Sequence, residues 1–107
     1  MSEAAGESSA DDPPGQAPII RVLKICNKKG LHARASAKFV QTVEKFDADV
    51  KVTRNGETVG GDSIMGLMML SAGPGTKILV SAKGPEAEAA MEAITALVAD
   101  KFHEETM

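Results

Sequence analysis

"DVKVTRNGETVGG", residues 49–61, decides how this chain folds. Its centre, Asn55-Gly56, is the strongest short hairpin signal a sequence can carry, because both positions of the favoured turn require positive φ. "DVKVTR" and "ETVGG" flank that turn, so two antiparallel strands meet there. Towards the N-terminus, "IIRVLKIC" (19–26) is rich in β-branched residues and reads as a strand, and "NKKG" reads as a turn. From His32 onward, Ala35, Phe39, Val40, Val43 and Phe46 recur at helical spacing. Towards the C-terminus, "SIMGLMMLSA" (63–72) predicts a short helix stopped by "GPG". "KILVSA" (77–82) predicts a strand with Ile78 and Val80 on one face. Gly84-Pro85 then opens a last helix, with proline in its first turn. Ala87, Ala90, Met91, Ile94, Leu97, Val98 and Phe102 form one apolar stripe through it. The order β-α-β-β-α-β-α implies an α+β fold of two layers, an antiparallel or mixed sheet with helices on one face.

The totals exclude several functions. With 107 residues the chain is long enough for one domain, and residues 19–107 are assigned to it. Residues 1–18 are rich in Ser, Gly, Pro and acid, and they are expected to form a disordered acidic tail. The only aromatic residues are three Phe, so the core must be aliphatic and base-stacking platforms are absent. A net charge of −3 argues against a nucleic-acid partner. No apolar run approaches the roughly 18 residues of a membrane span, and the N-terminus lacks the pattern of a secretory signal. The single Cys26 can form no internal disulfide, which suits a reducing, cytoplasmic setting. Nothing in the pattern indicates oligomerisation, so a monomer is the default.

The helix that opens at "GLHARASAKFV" (30–40) poses the functional question. Histidine is a poor choice to start a helix, where Ser, Thr, Asp and Asn cap better. The first helical turn offers free amides, here those of Ala33 and Arg34, and roughly half a positive charge, worth about 0.3–1 kcal/mol to an anion. Arg34 adds a planar donor fork suited to phosphate oxygens. The same positive end favours a neutral ring with a lone pair able to attack. The plainer reading makes Ser36 the N-cap and His32 the end of a turn. No metal site is expected, since His103 lies in "FHEE" without companion ligands and reads as a solvated residue of the last helix. In "GDSIMGLMML" (61–70), Ser63 is a good N-cap with Asp62 as competitor. That helix has more apolar residues than one face can bury. Leu67 and Leu70 suit the core, while exposed methionines suit an adaptable contact surface.

"GLHARASAKFV" and "DSIMGLMML", with the "NG" hairpin between them, resemble the HPr phosphocarrier family of the phosphoenolpyruvate phosphotransferase system. The resemblance covers about residues 19–103. It implies an open-faced β-sandwich, a four-stranded antiparallel sheet with three helices on one face. It implies that His32 accepts a phosphoryl group on Nδ1 from phosphoenolpyruvate-charged Enzyme I. Arg34 would stabilise that group, which then passes to a histidine of an Enzyme IIA protein in a sugar or nitrogen-related regulatory system. Such a protein is a phosphoryl-transfer intermediate rather than a turnover enzyme, and it needs no cofactor. Ser63 matches the position that some bacteria phosphorylate with a dedicated serine kinase/phosphorylase. Ile64, Met65 and Met68 would dock the partners, with Lys28, Lys29, Arg34 and Lys38 as a positive rim. The family commonly has proline where this chain has Ala35, which removes some rigidity from the active-site turn. A regulatory docking module, its binding set by phosphorylation of His32 or Ser63, is the alternative reading.

Overall fold

The computed structural model describes residues 17–104. Most of the segment 1–18 assigned to an acidic tail, and the last three residues of the assigned domain, lie outside that range. The described residues form β1 (Ile19–Lys24), α1 (Ala33–Val43), β2 (Asp49–Arg54), β3 (Glu57–Gly60), α2 (Ile64–Met69), β4 (Lys77–Lys83) and α3 (Ala87–Ala99). A turn over Lys101–His103 follows. The four strands make one antiparallel sheet in the order β1-β4-β2-β3. The three helices cover one face of it, which is the open-faced arrangement that the resemblance implied.

The hairpin folds as read: Arg54 pairs with Glu57, and Asn55 (φ 52°) and Gly56 (φ 79°) both take positive φ. Alternation then sorts the strands. Leu23, Val50, Val52, Ile78, Val80 and Ala82 point under the helices, whereas Ile20, Val22 and Leu79 remain exposed on the open face. Phe39, Val40, Val43, Met91, Ile94, Leu97 and Val98 close the core from α1 and α3. Arg21 ties β1 to α3 through Thr95 Oγ1 and Glu92 Oε2, both at 3.0 Å.

Element boundaries depart from the sequence reading at three ends. α2 is shorter than 63–72, because Arg54 Nη1 donates to the Leu70 carbonyl at 3.0 Å and the chain turns at Ser71 (φ 53°). Pro85 precedes α3 rather than entering it, since Glu86 is the N-cap. Phe102 is fully buried, yet it lies beyond α3 in the turn, at φ 55°.

The β1–α1 loop is fixed by one close approach. Gly30 has φ +63°, and a Cβ there would fall 2.2 Å from the Ala72 carbonyl oxygen. The next amide, of Leu31, donates to that oxygen at 2.9 Å. Gly56 also has positive φ, but a Cβ there would meet nothing within 4 Å. Gly56→Ala is therefore expected to cost only the conformational term of about 1–2 kcal/mol. Gly30→Ala adds a clash with backbone to that term and should cost about 3 kcal/mol or more in chemical denaturation. Equal losses in the two variants would contradict this account.

Candidate functional site

His32 stands at the N-cap of α1 with extended backbone (φ −78°, ψ −177°), and its side chain makes no capping hydrogen bond. The amides of Ala33, Arg34 and Ala35 begin the helix and have no partner within it. Ser36 is not the cap. It is buried in the helix, its amide donates to the His32 carbonyl at 2.8 Å and its Oγ to the Leu31 carbonyl at 3.2 Å. The ring of His32 is held elsewhere: its Nε2 pairs with Glu104 Oε2. Nδ1 is then the ring nitrogen left without a hydrogen-bond partner among the described residues. Arg34, two residues on, is exposed, and its guanidinium makes no hydrogen bond or ion pair among the described residues.

Glu104, which pairs with His32, and Asn27, which holds Glu104, were not singled out from the sequence. Asn27, fully buried near the start of the β1–α1 loop, donates from Nδ2 to the Gly30 carbonyl at 2.9 Å and to Glu104 Oε1 at 3.0 Å. Its Oδ1 is buried with no hydrogen-bond partner among the described residues. Leaving that acceptor unpaired costs about 1–3 kcal/mol, which an apolar side chain of similar size would avoid. Asn27 therefore serves the two contacts its amide makes rather than packing. "NKKG" did mark a turn, and an asparagine that opens a turn commonly bonds to backbone just ahead. Nothing in the letters tied it to a residue 77 positions away.

Glu104 reaches the site because the chain after α3 doubles back. Lys101, Phe102 and His103 all have positive φ (54°, 55° and 63°), at a cost of about 1–2 kcal/mol each. Burial of the Phe102 ring returns about 1.5–3 kcal/mol. The remainder must come from polar contacts: Lys38 Nζ donates to the Phe102 carbonyl at 2.6 Å, His103 pairs with Asp100, and Asn27 holds Glu104. Lys38, expected on the positive rim, is thus drawn into the turn, while Lys28 and Lys29 stay exposed. His103 is exposed as expected, but it belongs to this turn and not to α3.

Glu104 is 15% exposed and His32 28%. Burial pushes the Glu104 carboxyl up, but hydrogen bonds from Asn27 and His32 and the charges of His32 and Lys38 outweigh it. The group is held below its ordinary value of 4.5.

Ser63 caps α2 as read, its Oγ accepting from the Gly66 amide at 3.0 Å, and Asp62 is exposed. Leu67 and Leu70 are buried, as expected, while Ile64 (40%), Met65 (70%), Met68 (40%) and Met69 (65%) are exposed. Met69 was not anticipated as part of this surface. α2 packs against α1, so this apolar surface flanks the helix that begins at His32. Among the described residues no group of three or more His, Cys, Asp or Glu could hold a metal, and no helix is long and apolar enough to cross a membrane.

Residues 19–100 match the family described as "PTS HPr component phosphorylation site". Phosphocarrier protein HPr of Cupriavidus necator is 50% identical over 84 residues, covering 78% of this chain and 94% of that protein. Phosphocarrier protein NPr of Shewanella violacea is 43% identical over 84 residues, covering 78% and 92%. The crystal structure of HPr-C-His from Thermoanaerobacter tengcongensis superposes with a TM-score of 0.78 at 40% identity, over 81% of this chain and 98% of that one. The chain belongs to the HPr family of phosphocarriers of the phosphotransferase system.

Two stability measurements test the site's contacts. Ser63→Ala should lose about 1 kcal/mol, the usual worth of an N-cap. For Glu104 the folded group binds its proton less readily than the unfolded one. Its contribution is complete above pH 4.5 and is lost as pH falls through the lower folded value. Wild type should exceed Glu104→Gln in urea unfolding near neutral pH, with the gap closing below about pH 4.5. A gap that ignores pH would contradict the assigned contacts.

Proposed function

We propose that this protein is a cytoplasmic carrier in which His32 Nδ1 accepts a phosphoryl group from phosphoenolpyruvate-charged Enzyme I and passes it to a histidine of an Enzyme IIA protein. The observation that carries this reading is the division of the His32 ring: Nε2 is occupied by Glu104 and Nδ1 has no partner among the described residues, on a residue that heads a helix. In the loading step the Nδ1 lone pair forms the new N–P bond while the N–P bond on the donor's histidine breaks, its electron pair returning to the donor ring. Unloading is the same exchange in the other direction, onto the acceptor's ring.

The chain's own groups supply charge stabilisation and position, which is most of what phosphoryl transfer asks of a protein. Amides of Ala33 and Arg34, with the dipole behind them, face the developing negative charge. The Arg34 guanidinium, without a partner among the described residues, can bridge two phosphoryl oxygens. Exposed Ile64, Met65 and Met68 give a partner an apolar seat, and Lys28 and Lys29 add positive charge that speeds encounter with acidic partners. The sugar and the nitrogen-related branches would use this chemistry equally.

That exposed α2 surface also supports a second reading, a docking module switched by phosphorylation of His32 or Ser63. A phosphate on Ser63 would sit at the start of α2, where negative charge is tolerated, and would alter the charge of the docking face. Equal binding of every candidate partner by the phosphorylated and unphosphorylated forms would sink it.

The carrier reading is tested by intact mass after incubation with Enzyme I and phosphoenolpyruvate. Wild type should gain one acid-labile phosphate and His32→Ala none; an adduct on His32→Ala would overturn the assignment. Arg34→Ala should still be phosphorylated, but about tenfold or more slowly, as when one transition-state donor is removed.

A further inference from the structure

The division of the His32 ring has a cause outside the helix that carries it. Glu104 presents its two oxygens to different partners: Oε1 takes the Asn27 amide at 3.0 Å and Oε2 faces His32 Nε2. Asn27 is itself fully buried and bonded to the Gly30 carbonyl, so one side chain fixes both the loop before His32 and the carboxylate beside it. The backbone that delivers Glu104 is pinned two residues earlier, by the buried Phe102 ring and by Lys38 on its carbonyl. Burial of the Phe102 ring does not by itself offset the cost of this turn. The left-handed turn and the unpaired Asn27 oxygen go further than fastening, and what they achieve is a carboxylate aimed at one imidazole nitrogen.

We propose that Glu104 is the positioning residue of His32, holding the proton on Nε2 so that Nδ1 carries the attacking lone pair, with Asn27 as its support. The inference rests on the carrier reading above and deepens it. A neutral imidazole has one donor and one acceptor nitrogen, and the partner of one decides the role of the other. As the Nδ1–P bond forms, the ring keeps its Nε2 proton and gains positive charge. A carboxylate already in contact opposes that charge without any rearrangement. That charge is largest on the loaded ring, so the contact assists loading above all, which is the step that the test measures.

The test combines the imidazole nitrogen spectrum of His32 with the rate of phosphoryl transfer from Enzyme I. In the full-length wild type the neutral ring should show the Nε2–H form. Glu104→Ala should populate both tautomers and slow transfer by about ten- to a hundredfold, the range known for hydrogen-bond partners of metal-bound imidazoles. Glu104→Gln keeps the size and one acceptor oxygen, so it should keep the tautomer yet transfer more slowly for lack of charge. Asn27→Ala should slow transfer in the same direction as Glu104→Ala, and melting curves identify any variant that has failed to fold. Wild-type tautomer and wild-type rate in folded Glu104→Ala, or a wild-type rate in Glu104→Gln, would overturn the proposal while leaving His32 as acceptor. Phosphorylation of His32→Ala would instead overturn the carrier reading, and the nitrogen spectrum would still decide whether Glu104 orders the ring.

Discussion

The structure hangs on a contact with no room in it, the approach of Gly30 to the Ala72 carbonyl. That carbonyl lies in the segment after α2, and the Leu31 amide donates to it. The β1–α1 loop and the α2–β4 loop are thereby locked together just before His32. Two residues then enter the start of α1, and the direction of that helix follows from where Leu31 is held. A side chain at position 30 would push the loop off the carbonyl and move the imidazole with it. Position matters more than identity here, because a histidine displaced by an ångström no longer meets the groups arranged around it.

The fold was legible because its information is local and periodic. Asn55-Gly56 sets a turn whose backbone accepts few other residues, and its two strands follow from that turn. Val50 and Val52, Ile78 and Val80, and the α3 stripe repeat at the periods that distinguish a strand from a helix. Boundaries were less legible, because they depend on distant partners. The end of α2 is set by Arg54, a strand residue, and the unusual backbone of Phe102 by burial of its ring. Pro85 carried a true signal for a helix start and lies just ahead of it, with Glu86 between.

The site was legible only along its near side. His32, Arg34, Ser63 and the α2 methionines sit in short contiguous motifs whose spacing can be read. Asn27 and Glu104, which the fold brings together beside His32, are separated by 77 positions, and each has an unremarkable local explanation, one as a turn residue and the other as a solvated acid. What joins them is a run of three left-handed residues, none of them glycine, a conformation that propensity argues against. Lys38 shows the same limit from the other side. A lysine on an amphipathic helix reads as a surface charge, and only the folded chain brings a carbonyl for it to hold. Local preference is overruled at a cost in this turn, as is expected at functional or strained places.

A carrier must release its cargo as readily as it takes it, so its site cannot simply bind phosphate tightly. Charge is divided accordingly. In the proposed carrier, helix amides and the Arg34 guanidinium, unpaired among the described residues, would serve the phosphoryl group, while a carboxylate stands on the opposite nitrogen of the same ring. The positive groups would favour the phosphoryl oxygens and Glu104 the ring that bears them. Each would stabilise one half of the dipole that builds as the phosphoryl group is taken on and is lost as the group leaves. Ala35 fits this division. In place of a proline it adds an amide to the first turn while its methyl stays in the core, exchanging backbone rigidity for one more donor. Rigidity is then supplied from outside α1, by Gly30 against Ala72 on one side and by the Asn27–Glu104 pair on the other.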